Sequence, residues 1–380
     1  MTTGGHADIP MFRPSFAASD FAALSDQLAT GMVARGAVAH SFEDRLVERV
    51  GSEAALTTSS GTAASSLAFA ALGIGPGDEV LTPSLTCLGV VNAIARTGAT
   101  PVFVDIDPRT LTIDPAEAAR AVTDRTKAMV PVHYAGHPAD LDALTELAVA
   151  HGLAIMEDIA HGLGAEYRGQ PLGSRGNLGI LSFHGTKIIT TGEGGALLGP
   201  RGLLDDARLD TNFGVTGDDH PTGFLEDAVE VPGLKAGMSD LQAALGINQL
   251  SRLDELLAAR RATAEFYTDR FTEHPALRTP TEESWARSSW HVYTLRLDPA
   301  RITATAEEFI AAVRRHGGAA NHQFYPAHLT PLYRSSAASL PVTEREAFLI
   351  VSLPVFPGLN SEQLEREAAA VEAAVSELER

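Results

Sequence analysis

The chain has 380 residues and a single cysteine, Cys87, so no disulfide can form within it and a thiolate zinc site is excluded. Basic residues are scarce: 29 Lys and Arg stand against 48 Asp and Glu, a net charge of −19. Phosphate backbones are bound by clustered positive charge, so nucleic acid is excluded as a partner. No apolar run approaches the roughly 18 residues that a membrane span needs. Residues 1–10 carry no basic stretch followed by an apolar one, which leaves a cytoplasmic location as the expectation. No phosphate-binding G-x-x-x-x-G-K-[ST] occurs, and Gly162-Leu163-Gly164 lacks the third glycine of a dinucleotide fingerprint. Internal repeats and low-complexity tracts are absent. What remains is an ordinary globular composition, 44% hydrophobic and 20% charged, in a chain long enough for two domains.

Short apolar runs alternate with amphipathic segments through the first half. Strands are expected at 79–82, 101–105, 128–133, 153–158, 179–184 and 195–198, and helices at 62–72, 115–121 and 141–151. Near-continuous apolar strands separated by helices predict a mostly parallel sheet covered on both faces. Ligands of such sheets bind beyond the carboxyl ends of the strands. Residues 211–237 read as an irregular loop. Ser239-Asp240-Leu241-Gln242 has capping-box spacing and opens a helix that the leucines carry toward Arg261. The remainder reads as α+β: a strand at 291–297, a helix at 305–316, a proline-rich loop at 326–357 and a terminal helix from Ser361. A large domain over 12–250 and a small domain over 251–380 are expected.

Two strand ends carry chemistry. Leu153-Ala154-Ile155-Met156 leads into Glu157-Asp158, and Gly179-Ile180-Leu181-Ser182-Phe183 leads through His184-Gly185-Thr186 to Lys187 and Gly192-Glu193-Gly194-Gly195. A buried amine beside a buried carboxylate suits pyridoxal phosphate. The amine can condense with its aldehyde, and the carboxylate can keep its ring nitrogen protonated. Adjacent strand residues point to opposite faces, so only one of Glu157 and Asp158 can face such a site. Ser59-Ser60-Gly61-Thr62 precedes a helical pattern and reads either as a cap or as an anion cradle. Each residue alone has a plainer reading, a solvated lysine or a capping carboxylate. His133 and His137 stand four apart, but Gly136 and Pro138 deny them a shared helix face, so no metal site is expected.

In order and spacing these segments resemble the DegT/DnrJ/StrS-type sugar aminotransferases. The stretches that carry the likeness are Ser60-Gly61-Thr62-Ala63, Gly75-Pro76-Gly77-Asp78-Glu79-Val80, Pro101-Val102-Phe103-Val104-Asp105, Pro131-Val132-His133-Tyr134-Ala135-Gly136, Glu157-Asp158-Ile159-Ala160-His161, Ser182-Phe183-His184-Gly185-Thr186-Lys187, Gly192-Glu193-Gly194-Gly195 and Met238-Ser239-Asp240-Leu241-Gln242-Ala243-Ala244. The resemblance implies the type I fold of pyridoxal phosphate enzymes, a homodimer with shared active sites, and transfer of an amino group, from L-glutamate, to a nucleotide-linked keto-sugar. It implies that Lys187 binds the cofactor covalently, that Asp158 partners its ring nitrogen, and that His161 lies near its phenolic oxygen. Gly61, Thr62 and Ser182, with Ser60 and His184 beside them, fall at its phosphate end. Lys235 corresponds to a residue that reaches the phosphate from the other subunit. His322 and Tyr325 fall in a segment near the sugar. At position 87 the family usually carries an aromatic ring stacker, where this chain has Cys87. Some relatives replace the lysine by histidine and act as dehydratases; retention of Lys187 favours transamination. A lyase, an acceptor such as a cyclitol ketone, and a non-catalytic regulator are the competing readings.

Overall fold

The computed structural model describes residues 9–215, 229–334 and 339–379. A seven-stranded sheet forms its centre, with strands β1 (Ala54–Thr58), β2 (Glu79–Pro83), β3 (Thr100–Val104), β4 (Thr126–Met129), β5 (Ala154–Asp158), β6 (Leu178–Ser182) and β7 (Gly195–Gly199). Their spatial order is β1-β7-β6-β5-β4-β2-β3. Only β7 runs against the others: it pairs antiparallel with both β1 and β6, whereas the pairings from β6 through to β3 are all parallel. Strand β1 is the one large-sheet element that the apolar pattern did not single out.

Alternation along the strands divides the core. Leu197, Met156, Leu178 and Ile180 pack on one face with helices Gly61–Ala71, Leu88–Arg96 and Arg201–Thr211. Ala196, Leu198 and Leu181 pack on the other with helices Ala37–Val50 and Asp240–Ser251, while Met129 and Ile155 meet Pro115–Ala121 and Leu141–His151 there. The period of two therefore puts Asp158 and Ser182 on the face of helix Gly61–Ala71, and Glu157 on the opposite face.

The helix expected to run unbroken from Ser239 toward Arg261 is two helices, Asp240–Ser251 and Leu253–Phe271. Arg252, at φ −103° and ψ 6°, leaves the helical basin, and its guanidinium is drawn to Asp20 at 3.2 Å. The expected capping boxes are both present: the Ser239 hydroxyl accepts from the Gln242 N–H, and Thr305 and Glu308 do the same for helix Ala306–Arg315. The second helix is shared between cores. Leu253 and Leu256 join the large-sheet cluster, and Ala264, Tyr267 and Phe271 join a second one.

That second core packs the three-stranded antiparallel sheet Leu277–Arg278, Tyr293–Leu297 and Ile350–Leu353 against helices Ala306–Arg315 and Ser361–Leu378. The stretch read as a proline-rich loop includes helix Pro341–Ala347 and strand Ile350–Leu353. Pro341 opens the helix, where its missing N–H costs nothing. Of the loop expected at 211–237, residues 216–228 lie outside the described residues. The rest is irregular, tied by bridges Asn212–Lys235 and Val215–Val229.

Glu367 is fully buried under the second sheet. Burial pushes its carboxyl up to about 8, opposed by the Ala319 N–H, which it accepts at 2.7 Å. The folded state thus holds this proton more tightly than the unfolded chain. The group's contribution is complete below the ordinary pKa of 4.5 and is lost as pH rises through about 8. Glu367→Gln should flatten that slope of about 1.4 kcal/mol per pH unit, so the variant should gain in Tm relative to the parent between pH 6 and pH 8.5. Parallel melting curves for the two proteins would contradict the buried-acid reading.

Candidate active site

Asp158 and Ser182 end adjacent strands, and the turn that follows β6 returns Lys187 to the same opening. Here the Lys187 N–H bonds the His184 carbonyl at 2.9 Å. A cavity of about 350 Å³ lies at these carboxyl ends, within the range of small-molecule sites. Its wall includes Ser60, Gly61, Thr62, Cys87, Asp158, His161, Ser182, His184 and Lys187.

The pleat answers which of the two acids faces it. Asp158 does, and its Oδ1 accepts the Ala160 N–H at 3.0 Å. Glu157 is turned away, accepting the N–H groups of Gly173, Arg175 and Gly176 and facing His133 Nε2 at 3.3 Å. That arrangement also accounts for the spaced histidines. His133 Nδ1 accepts the Ala139 N–H, while His137 Nδ1 donates to the Pro138 carbonyl and its Nε2 accepts the Glu283 N–H. Among the described residues no group of His, Cys, Asp and Glu is placed to hold a metal.

Burial sets the electrostatics. It pushes the Asp158 carboxyl up, opposed by the Ala160 N–H and the Lys187 charge. It pushes the Lys187 amine down, opposed by Asp158 and Cys87. A shift in this direction favours the neutral amine that a nucleophile or base requires. His161 is buried against the same wall, and its imidazole is held well below its usual range by burial and then by Lys187.

Two helix N-termini line the same cavity. Ser60 caps helix Gly61–Ala71, its hydroxyl oxygen accepting the Ala63 N–H at 3.1 Å, so the cap reading holds. The first turn also keeps N–H groups without intrahelical acceptors, which an anion cradle would require. Cys87 sits at the N-cap of helix Leu88–Arg96. The space is tailored by missing side chains: a Cβ on Gly89 would lie 2.8 Å from Thr62 Oγ1, and one on Gly195 only 2.5 Å from the Gly61 nitrogen. Gly195, at the start of β7, pairs with both Thr58 and Ser182 and lets the 58–61 turn approach β6. Helix N-termini, a carboxylate and an amine around one cavity fit a phosphorylated pyridine aldehyde.

Not every expected residue reaches this wall. Lys235 is exposed, with Nζ 3.2 Å from Asn212 Oδ1 and over the Phe213 ring. His322 Nε2 bonds the Ala347 carbonyl, and Tyr325 is half exposed against Phe348; the wall passes between them, through Gln323 and Phe324. His291 also lines it. No sequence signal marked His291, which sits in an apolar run like any core histidine.

A family model for the DegT/DnrJ/EryC1/StrS aminotransferases matches residues 14–372. The spore coat polysaccharide biosynthesis protein SpsC of Bacillus subtilis is 36% identical over 373 residues, 96% of each chain. Among solved structures, the aminotransferase TlmJ from Streptoalloteichus hindustanus superposes with a TM-score of 0.91 at 32% identity, covering 98% of this chain and 100% of that one. Helicobacter pylori PseC, an aminotransferase involved in the biosynthesis of pseudoaminic acid, gives 0.91 at 26% identity, covering 98% and 100%. With a matching fold and a near full-length match, this chain belongs to the DegT/DnrJ/EryC1/StrS aminotransferase family and is an aminotransferase of the type I pyridoxal phosphate fold.

Proposed function

We propose that this enzyme moves an amino group from L-glutamate to the keto group of a nucleotide-linked deoxyhexose, with pyridoxal phosphate as cofactor. The observation that carries the reading is one cavity lined by Asp158 at a strand end, Lys187 in the turn after the adjacent strand, and two helix N-termini. Membership of a family whose relatives serve polysaccharide and pseudoaminic acid biosynthesis supports the sugar acceptor.

The cofactor supplies an electron sink for charge released at the donor's α-carbon. The protein's part is anchoring, orientation and proton movement. Gly61 and Thr62 present N–H groups, and Thr62, Ser60 and Ser182 present hydroxyls, to the phosphate. Asp158, short of water, accepts a hydrogen bond from the protonated ring nitrogen. Lys187 anchors the resting cofactor. With the cofactor bound, Lys187 Nζ would be the group placed to take a proton from the donor's α-carbon and to return one to the sugar carbon. His161 lies beside the ring's oxygen. A homodimer completes the site, with Lys235 of the partner subunit reaching the phosphate. The exposed Leu234, Phe213, Val229 and Val231 around Lys235 offer the apolar surface that such an interface buries. The domains are assigned as 12–250 for the cofactor and 251–380 for the cover over it.

The test is product analysis with L-glutamate and a panel of dTDP- and UDP-linked keto-deoxyhexoses beside a cyclitol ketone. Amination of a nucleotide sugar supports the proposal. Amination of the cyclitol alone replaces it.

A further inference from the structure

Among the described residues no hydrogen bond orients the His161 ring. Its Nδ1 is buried without a partner, and so is the Nδ1 of His291. A histidine in an active site is ordinarily fixed by the bond its second nitrogen makes to a carboxylate or carbonyl. Here rings take over that task. His161 and His291 have centroids 4.3 Å apart with planes tilted by 32°, and Phe324 stacks on His161 at 5.7 Å and 21°. Phe12 stacks on the outer face of His291 at 6.1 Å and 22°. The four rings form a column, Phe12, His291, His161, Phe324, in which three members come from outside the strand end that carries His161.

The surroundings brace the column. Ser289 Oγ donates to the His161 carbonyl at 2.7 Å. The His291 N–H bonds the Ala135 carbonyl at 3.0 Å, and Arg260 Nη1 donates to the His291 carbonyl at 3.3 Å. The Tyr134 hydroxyl donates to the Gln323 carbonyl, next to Phe324. Charges facing His291 are those of Lys187 and Arg260, with His161 beside it; together with burial they hold its imidazole well below the usual range. Both imidazoles are therefore neutral near pH 7. A stacked pair this close would otherwise place two positive charges in contact.

We propose that His291 is a positioning residue that fixes the plane of the His161 ring by stacking, so that the segment 289–291 and Phe324 together set how His161 meets the cofactor. The proposal rests on the assignment of His161 to the cofactor's phenolic oxygen. Its chemistry is shape: a flat ring is needed at position 291, and an ionisable one is not. His291→Ala removes one jaw and leaves His161 free to rotate, whereas His291→Phe restores a flat ring without a nitrogen.

The test uses the enzyme reconstituted with pyridoxal phosphate. The lysine-bound cofactor band is titrated with pH, and kcat/KM is measured for the parent, His291→Ala and His291→Phe. His291→Ala should lower kcat/KM by about tenfold or more, since misplacement by an ångström costs up to about a hundredfold. It should also move the midpoint of the band by about half a pH unit or more, as the contact to the ring oxygen is lost. His291→Phe should recover both. A phenylalanine variant as impaired as the alanine variant would overturn the proposal, because the nitrogen and not the stack would then matter. An alanine variant that melts like the parent and keeps its midpoint would overturn it as well. A parent enzyme that develops no lysine-bound band with the cofactor removes the underlying assignment instead, a result visible without any His291 variant.

Discussion

Lys187→Ala should reduce amino transfer by at least about a thousandfold, because the substitution removes a covalent anchor and a proton carrier together, and proton transfer alone is worth about 10² to 10⁴. The same variant should take up pyridoxal phosphate through the phosphate cradle yet never show the absorbance of a lysine-bound cofactor. The fold should survive. Lys187 makes no side-chain hydrogen bond that orders its turn, which is closed by backbone, with its N–H on the His184 carbonyl at 2.9 Å. Removing an amine whose burial disfavours its charge also relieves a desolvation cost. Lys187→Arg provides a control, as it keeps the charge but cannot condense with an aldehyde. A normal lysine-bound spectrum in the alanine variant would refute the assignment, since among the described residues Lys187 is the only lysine in the cavity wall.

Asp158→Ala carries the second large effect. Turnover should fall by about a hundredfold to a thousandfold, the scale seen when one preorganised polar contact to developing charge is removed. Cofactor should remain bound, because Gly61, Thr62 and Ser182 are untouched. The register of β5 should persist: the Asp158 N–H bonds the Pro131 carbonyl and its own carbonyl accepts from His133, neither through the side chain. Among the described residues its carboxylate accepts a hydrogen bond from Ala160 alone. Two measurements check this, cofactor stoichiometry from the absorbance of the purified variant and turnover with a saturating donor. Undiminished turnover would exclude the ring-nitrogen role. Loss of cofactor with turnover would instead make Asp158 a binding residue.

The elements that the sequence disclosed share one property: their signal lies within a dozen residues. Helices 115–121 and 141–151 occupy the expected residues, because caps and apolar periods are local. The strands at Asp158 and Ser182 were visible for the same reason, and with them the pairing of an acid and a lysine at strand ends. Local signals also failed in recognisable ways. The leucines after Ser239 keep a helical period straight through Arg252, but the backbone breaks there, where the Arg252 guanidinium meets Asp20, far off in sequence. Helix Pro341–Ala347 was concealed by the proline that starts it.

The sequence by itself determined the alternation of strands and helices, the capped starts of Gly61–Ala71 and Asp240–Ser251, and the residue types that a phosphorylated cofactor requires. Tertiary structure alone decided which acid faces the cavity. A pleat makes Glu157 and Asp158 opposite, but only packing of helix Gly61–Ala71 on one face makes that face the site. It also decided what closes the cavity. Gln323, Phe324 and His291 arrive from more than a hundred residues away, and His161 owes its orientation to the rings of Phe324 and His291. Ring stacking has no sequence period, so nothing in the order of residues could announce it.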